Sequence, residues 1–123
     1  MTSARLVHVI DDDEPVRTAF VFALQAAGFR AIDYADANDF LTRGQAEPGI
    51  IISDVRMPGL TGVELTRLLR NDGLTVPIIL MTGHADVQIQ ADAVKAGADL
   101  VVAKPVALDA LLADLARLTA DRA

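Results

Sequence analysis

Cysteine does not occur in this chain, nor does tryptophan, and tyrosine occurs once. Without cysteine there are no disulfides, no thiolate metal ligands and no cysteine nucleophile, a composition that fits a reducing cytoplasm. One Tyr and four Phe are too few for a platform that stacks nucleobases. Basic residues are in deficit as well: 11 Lys and Arg against 17 Asp and Glu leave a net charge of −6. That balance argues against direct nucleic-acid binding, which needs a basic face. No apolar run approaches the ~20 residues of a membrane span. The first residues hold one arginine before a strand-like run, which is not the pattern of a secretory signal.

What is present suits a single domain. The 123 residues are 52% hydrophobic and 23% charged, enough to bury a core. Apolar residues come in short runs that alternate between strand and helix patterns. Strands are expected at about 6–10, 30–34, 49–53, 77–81 and 100–103. The run GIIIS at 49–53 is continuous, as in a strand buried on both faces of a parallel sheet. In the first helix, expected over about 14–27, Val16, Ala19, Phe20, Ala23, Leu24 and Ala27 recur at helical spacing and predict the inward stripe. Phe22 then points away from the core. Pro15 falls in the first turn, where its missing N–H costs nothing. Asp36 can cap a short helix to Arg43. Thr61 and Glu64 form a capping-box pattern ahead of a helix with Leu65, Leu68 and Leu69 inward. A fourth helix is expected at about 86–96, and a last one presents Leu108, Leu111, Leu112 and Leu115 on one face. Five βα units predict an α/β fold, a doubly wound five-stranded parallel sheet with helices on both faces.

Ligands of such sheets bind outside the carboxyl ends of the strands. The first strand runs into Asp11, Asp12, Asp13 and Glu14, the third into Asp54, the fourth into Thr82 and the fifth into Lys104. All these ends share one edge of a parallel sheet. Asp13 and Glu14 are read as a helix start, favoured by the helix dipole. Asp11, Asp12 and Asp54 together would repel one another as ions. A hard divalent cation such as Mg²⁺, which takes oxygen ligands at about 2.0–2.1 Å and keeps several waters, relieves that repulsion. With Lys104 and the Thr82 hydroxyl added, the edge is suited to an anion bearing phosphate.

The stretches VIDDDEPVR, SDVRMPGLTGVEL, MTGHADV and AVKAGADLVVAKP, in that order and spacing, resemble the receiver domain of two-component response regulators. The likeness runs from Val7 to Leu118. RMPG and TGH look most like receivers that precede helix-turn-helix outputs or activators of the alternative-sigma-factor class. The resemblance implies a single receiver over 1–123 with the flavodoxin-like strand order 2-1-3-4-5. It implies that Asp54 takes a phosphoryl group from a sensor histidine kinase or phosphotransfer protein. Asp12, Asp54 and the backbone carbonyl of Arg56 would ligate Mg²⁺, and Asp11 would act largely through a bound water. Thr82 and Lys104 would each bind a phosphoryl oxygen, with the Lys104–Pro105 peptide cis. Arg56 and His84 would flank the phosphoryl group and tune its lifetime, and Phe22 would lie on the helix that docks the kinase. A signalling role follows, cytoplasmic and without a membrane segment, with slow autophosphatase activity and no turnover of an external substrate. Transcription would be controlled through an output domain or partner. Two positions depart from the family habit: Val101 and Val106 stand where it often has aromatic residues.

Other readings compete. Asp11-x-Asp13 superficially resembles the haloacid-dehalogenase phosphohydrolases, but Pro15 stands where those have Thr or Val, and the chain is short for their cap domain. A flavodoxin-like flavin carrier would need a Ser/Thr-rich phosphate loop, and DDDEP would repel a phosphate. A receiver used only for docking would not need the full set of site residues.

Overall fold

Each of the five expected strands forms, and each is followed by a helix. The computed structural model describes residues 5–83 and 87–120. In chain order the elements are β1 (Leu6–Ile10), α1 (Glu14–Ala26), β2 (Arg30–Tyr34), α2 (Ala37–Arg43), β3 (Ile50–Asp54), α3 (Gly62–Asn71), β4 (Ile78–Thr82), α4 (Val87–Ala96), β5 (Leu100–Ala103) and α5 (Leu108–Ala120). The strands make one parallel sheet in the order β2-β1-β3-β4-β5. The central strands β1, β3 and β4 are buried along their whole length, which is why they read as continuous apolar runs.

Side chains alternate across the sheet. One face gathers Ile10, Tyr34, Ile51, Ile78 and Leu80 against Phe40 of α2, Leu65 and Leu69 of α3 and Ala93 of α4. The other gathers Val7, Val9, Ile50, Ile52, Ile79 and Met81 against Leu24 of α1 and Leu111, Leu115 and Leu118 of α5. His8 is the polar exception inside β1. Its Nε2 donates to the Glu47 carbonyl at 2.9 Å, and its Nδ1 lies 2.9 Å from the Tyr34 hydroxyl.

Local signals set the helix ends. Asp13 caps α1 by accepting from the Val16 N–H, and Asp36 caps α2 through the Asp39 N–H. Thr61 and Glu64 close the reciprocal capping box of α3 at 3.1 and 2.9 Å.

Two expected helix faces are rotated. On α1, Ala19 and Ala27 are exposed, and the inward set is Phe20, Val21 and Leu24 with Arg17 beside them. Arg17 sits on this side because two oxygens wait there for its guanidinium. On α3, Leu68 is 39% exposed while Thr66 is buried, its hydroxyl donating to the Gly62 carbonyl at 2.8 Å. That bond satisfies the hydroxyl inside the helix and lets threonine occupy a core position.

Candidate functional site

The strand register assembles the site. Ile10 of β1 pairs with Ser53 of β3, so Asp11 and Asp54 are the next residues along two neighbouring strands. Asp54 pairs with Met81 of β4, and Thr82 pairs with Ala103 of β5. The Lys104 N–H then donates to the Thr82 carbonyl at 2.9 Å, which extends the ladder by one residue and sets the start of the lysine side chain. The Lys104–Pro105 peptide is cis.

Asp11, Asp12 and Asp54 converge. One carboxylate oxygen from each lies within 4.8 Å of the others. Asp11 has no exposed surface, Asp54 is 8% exposed, and Asp12 opens to solvent. Lys104 reaches across from β5. Its Nζ lies 3.0 Å from Asp54 Oδ2 and 3.2 Å from Asp11 Oδ2. Thr82 is buried at the end of β4. The Arg56 side chain is exposed, and its backbone N–H points at Asp54 Oδ1 from 3.4 Å. His84 lies outside the described residues. Phe22 is 74% exposed on α1, as expected, on an open groove with Glu14, Pro15, Thr18 and Ala19.

The charges are unequal: three carboxylates face one ammonium. Burial pushes the Asp54 carboxyl above its usual range. The charge of Asp11 adds to that push, and Lys104 and the Arg56 N–H oppose it. On Lys104 burial works against the charge, but hydrogen bonding to Asp54 and the attraction of both carboxylates outweigh it and hold the ammonium above its usual value. The cost of burial thus falls on the carboxylate and the attraction shows on the lysine. Such a cluster of hard oxygen donors, part buried and short of positive charge, fits a divalent cation of the Mg²⁺ type.

Two residues at the site have no counterpart among the expected ones. An ideal Cβ on Gly62 would lie 2.4 Å from the Asp54 carbonyl oxygen, so the first residue of α3 must lack a side chain to sit against the end of β3. Its only sequence signal is a glycine immediately after the cap Thr61. Arg17 donates from Nη1 to the Asp11 carbonyl at 2.9 Å and from Nε to Asp33 Oδ2 at 2.7 Å. Its signal is a lone cation on the inward side of α1.

Comparison with known proteins shows what the chain as a whole is similar to. Residues 7–116 match the family described as "Response regulator receiver domain". Over 100 residues the chain is 42% identical to the transcriptional regulatory protein FixJ of Azorhizobium caulinodans, covering 80% of this chain and 47% of that protein. It is 40% identical over 113 residues to the C4-dicarboxylate transport transcriptional regulatory protein DctD of Rhizobium meliloti, covering 91% of this chain and 25% of the other. The chain therefore spans about half the length of the first of these relatives and a quarter of the second. Among solved structures, the crystal structure of FixJ-N superposes with a TM-score of 0.84 at 35% identity, covering 96% of this chain and 94% of that one.

Proposed function

Because the chain belongs to the response regulator receiver domain family, a family of signalling domains rather than enzymes of substrate turnover, we propose that Asp54 is its phosphoacceptor and that 1–123 acts as a single receiver. The observation that carries this reading is the position of Lys104 Nζ, in contact with both Asp54 and Asp11 beside a three-carboxylate cluster.

The step is a phosphoryl transfer. An Asp54 carboxylate oxygen attacks the phosphorus of a phosphohistidine, or of a small donor such as acetyl phosphate. The bond from phosphorus to the donor atom breaks, the donor leaves with that electron pair, and a carboxyl–phosphoryl anhydride forms. Burial makes the Asp54 carboxylate more basic, and hence a better nucleophile once ionised. Lys104 already touches the attacking residue, so its ammonium needs little movement to pair with a phosphoryl oxygen. The Thr82 hydroxyl is assigned another phosphoryl oxygen. Mg²⁺, bound by Asp12, Asp54 and the Arg56 carbonyl with Asp11 acting through water, would supply the charge neutralisation that one lysine cannot.

We assign the phosphodonor role to a sensor histidine kinase or phosphotransfer protein docking near Phe22, in the cytoplasm. Output would pass to a further domain or partner that controls transcription, as the names of the relatives FixJ and DctD, transcriptional regulatory proteins, suggest for this chain. With a net charge of −6, contact with nucleic acid would belong to that output and not to this domain. Among the described residues no helix is long and apolar enough to cross a membrane. Arg56 and His84 would set how fast water hydrolyses the anhydride, a slow autophosphatase reaction. Arg56→Ala and His84→Ala should change the decay rate of the phosphorylated protein, and unaltered decay in both removes that role.

Mass spectrometry after incubation with acetyl phosphate and Mg²⁺ tests the core of the reading. A single phosphoryl adduct is expected, absent from Asp54→Asn and from the wild type without Mg²⁺. No adduct on the wild type would leave a docking module, and repeated turnover of varied phosphoesters would return the hydrolase.

A further inference from the structure

We propose that Arg17 is a positioning residue for the cation site: its guanidinium braces the Asp11–Asp12 peptide and so aims the Asp12 carboxylate. The inference rests on the reading of Asp11, Asp12 and Asp54 as a Mg²⁺ site.

Asp11 is fully engaged. Its N–H donates to the Tyr34 carbonyl at 3.2 Å, its Oδ1 accepts from the Asp13 N–H at 2.9 Å, and its Oδ2 accepts from Lys104. Its carbonyl is taken by Arg17 Nη1 at 2.9 Å. Asp12 is different. It is exposed, and its carboxylate makes no side-chain hydrogen bond among the described residues. The direction of that carboxylate is therefore set by the backbone, and among the described residues Arg17 is the side chain that holds the preceding peptide on its carbonyl side. A cation that demands near-octahedral oxygens at about 2.0–2.1 Å tolerates little error in a ligand's position.

Arg17 is itself fixed. Its side chain is only 14% exposed, and Nε is anchored 2.7 Å from Asp33 Oδ2 at the end of β2. The guanidinium thus ties three segments: β2, the β1–α1 loop and α1. Two effects oppose each other here. As a positive charge Arg17 disfavours a nearby divalent cation, and as a brace it favours one. Asp33, 2.7 Å from Nε, opposes that charge, and solvent reaching the half-exposed Asp33 screens it further. The brace therefore dominates, and the sign of the effect separates the two roles.

The test is direct Mg²⁺ titration of the folded protein, by calorimetry or by the amide shifts of Asp12 and Asp13, alongside acetyl phosphate labelling across Mg²⁺ concentrations. Arg17→Met keeps the stem and removes the donors. Its Mg²⁺ Kd should rise about tenfold, the scale seen when groups that orient metal ligands are lost. The half-saturating Mg²⁺ for labelling should rise with it, so that the loss falls there and not on the rate at saturation. Arg17→Lys, with a single donor nitrogen in place of the forked guanidinium, should recover part of the affinity. Arg17→Gln, neutral like Arg17→Met but with a polar end suited to a partly solvated site, should weaken binding as well and keeps the question answerable where Arg17→Met folds poorly. Unchanged or tighter Mg²⁺ binding in folded Arg17→Met or Arg17→Gln would overturn the proposal, as would a lower saturating rate at an unmoved midpoint. A wild type that binds no Mg²⁺ would remove the cation site and the inference together.

Discussion

His8 has 2% exposure in the middle of β1, and both of its ring nitrogens are occupied. Donation from Nε2 to the Glu47 carbonyl makes it the neutral Nε2–H tautomer, with Nδ1 accepting from the Tyr34 hydroxyl. Burial is the main force holding its pKa below the ordinary 6.5. Arg30 pushes the same way, and Glu47 opposes through its carbonyl and its charge. Above pH 6.5 both folded and unfolded chains are neutral here, and the full stability is present. As the pH falls below that value the unfolded chain takes up the proton first, so stability declines until the folded pKa is passed. Urea unfolding of the wild type and of His8→Gln at several pH values between 7 and 5 checks this, and the difference between them isolates the histidine. A wild-type slope no steeper than the variant's would refute it. Phe22 calls for a different comparison. It is one of five large hydrophobic residues exposed among those described, and it touches neither core. Phe22→Ala should slow phosphoryl transfer from the kinase and leave labelling by acetyl phosphate intact. A fall in both rates would make the residue a support of the fold.

Among the elements, α3 shows how a helix end controls the site. Gly62 opens the helix, its N–H donates to the Val55 carbonyl at 2.9 Å, and a Cβ on it would run into the Asp54 carbonyl. An added methyl would meet backbone and the Leu80 side chain, neither of which can swing aside. Gly62→Ala should therefore cost about 1–3 kcal/mol of stability, as overpacking does, and should slow acetyl phosphate labelling because relief must move Asp54 or the start of α3. Thermal unfolding and labelling rate measure the two, and a variant as stable and reactive as the wild type would refute the contact. This glycine was hidden in the sequence because its constraint comes from β3, a distant segment. The capping box beside it was legible because it is local. The strand-end clustering of Asp11, Asp12, Asp54, Thr82 and Lys104 was legible too, since parallel βα units bring all those ends to one edge, whereas the strand order came only with the family resemblance. The face of α1 was not, because alanine suits either side of a helix. Only Phe20, Val21 and Leu24 discriminate, and Arg17 takes an inward place that hydrophobic periodicity assigns to no cation. Arg70 was silent for the same reason. It bonds the Gly97 and Leu74 carbonyls and pairs with Asp99, joining α3 to the loop before β5 through residues far apart in the chain.

Across the whole molecule the question is how an event at Asp54 reaches a surface. Thr82, at 1% exposure, ends β4, and its carbonyl holds the Lys104 N–H at the end of β5. A movement of the Thr82 backbone is therefore passed to the end of β5. The side chains available there to relay it are valines. Val101 is half-buried against the core beneath α2, α3 and α4, and Val106 is half-buried against the core beneath α1 and α5. Valine has one stiff torsion and little reach, so neither can swing between a buried and an exposed position as an aromatic ring can. A ligand shifts a conformational equilibrium only by its differential contacts with the two states. With no such contact at Val101 or Val106, coupling from Asp54 to the surface of α4, β5 and α5 should be weak, and phosphorylation should promote little self-association there. Beryllofluoride with Mg²⁺, a mimic of the phosphoryl group, provides the measurement. Amide resonances near Asp54, Thr82 and Lys104 should shift much more than those along α5, and light scattering should report the same mass before and after addition. Val101→Phe should enlarge the α5 response if the ring finds both positions. A large α5 shift in the wild type, or a clear change from monomer to dimer, would show instead that backbone movement after Thr82 carries the signal unaided.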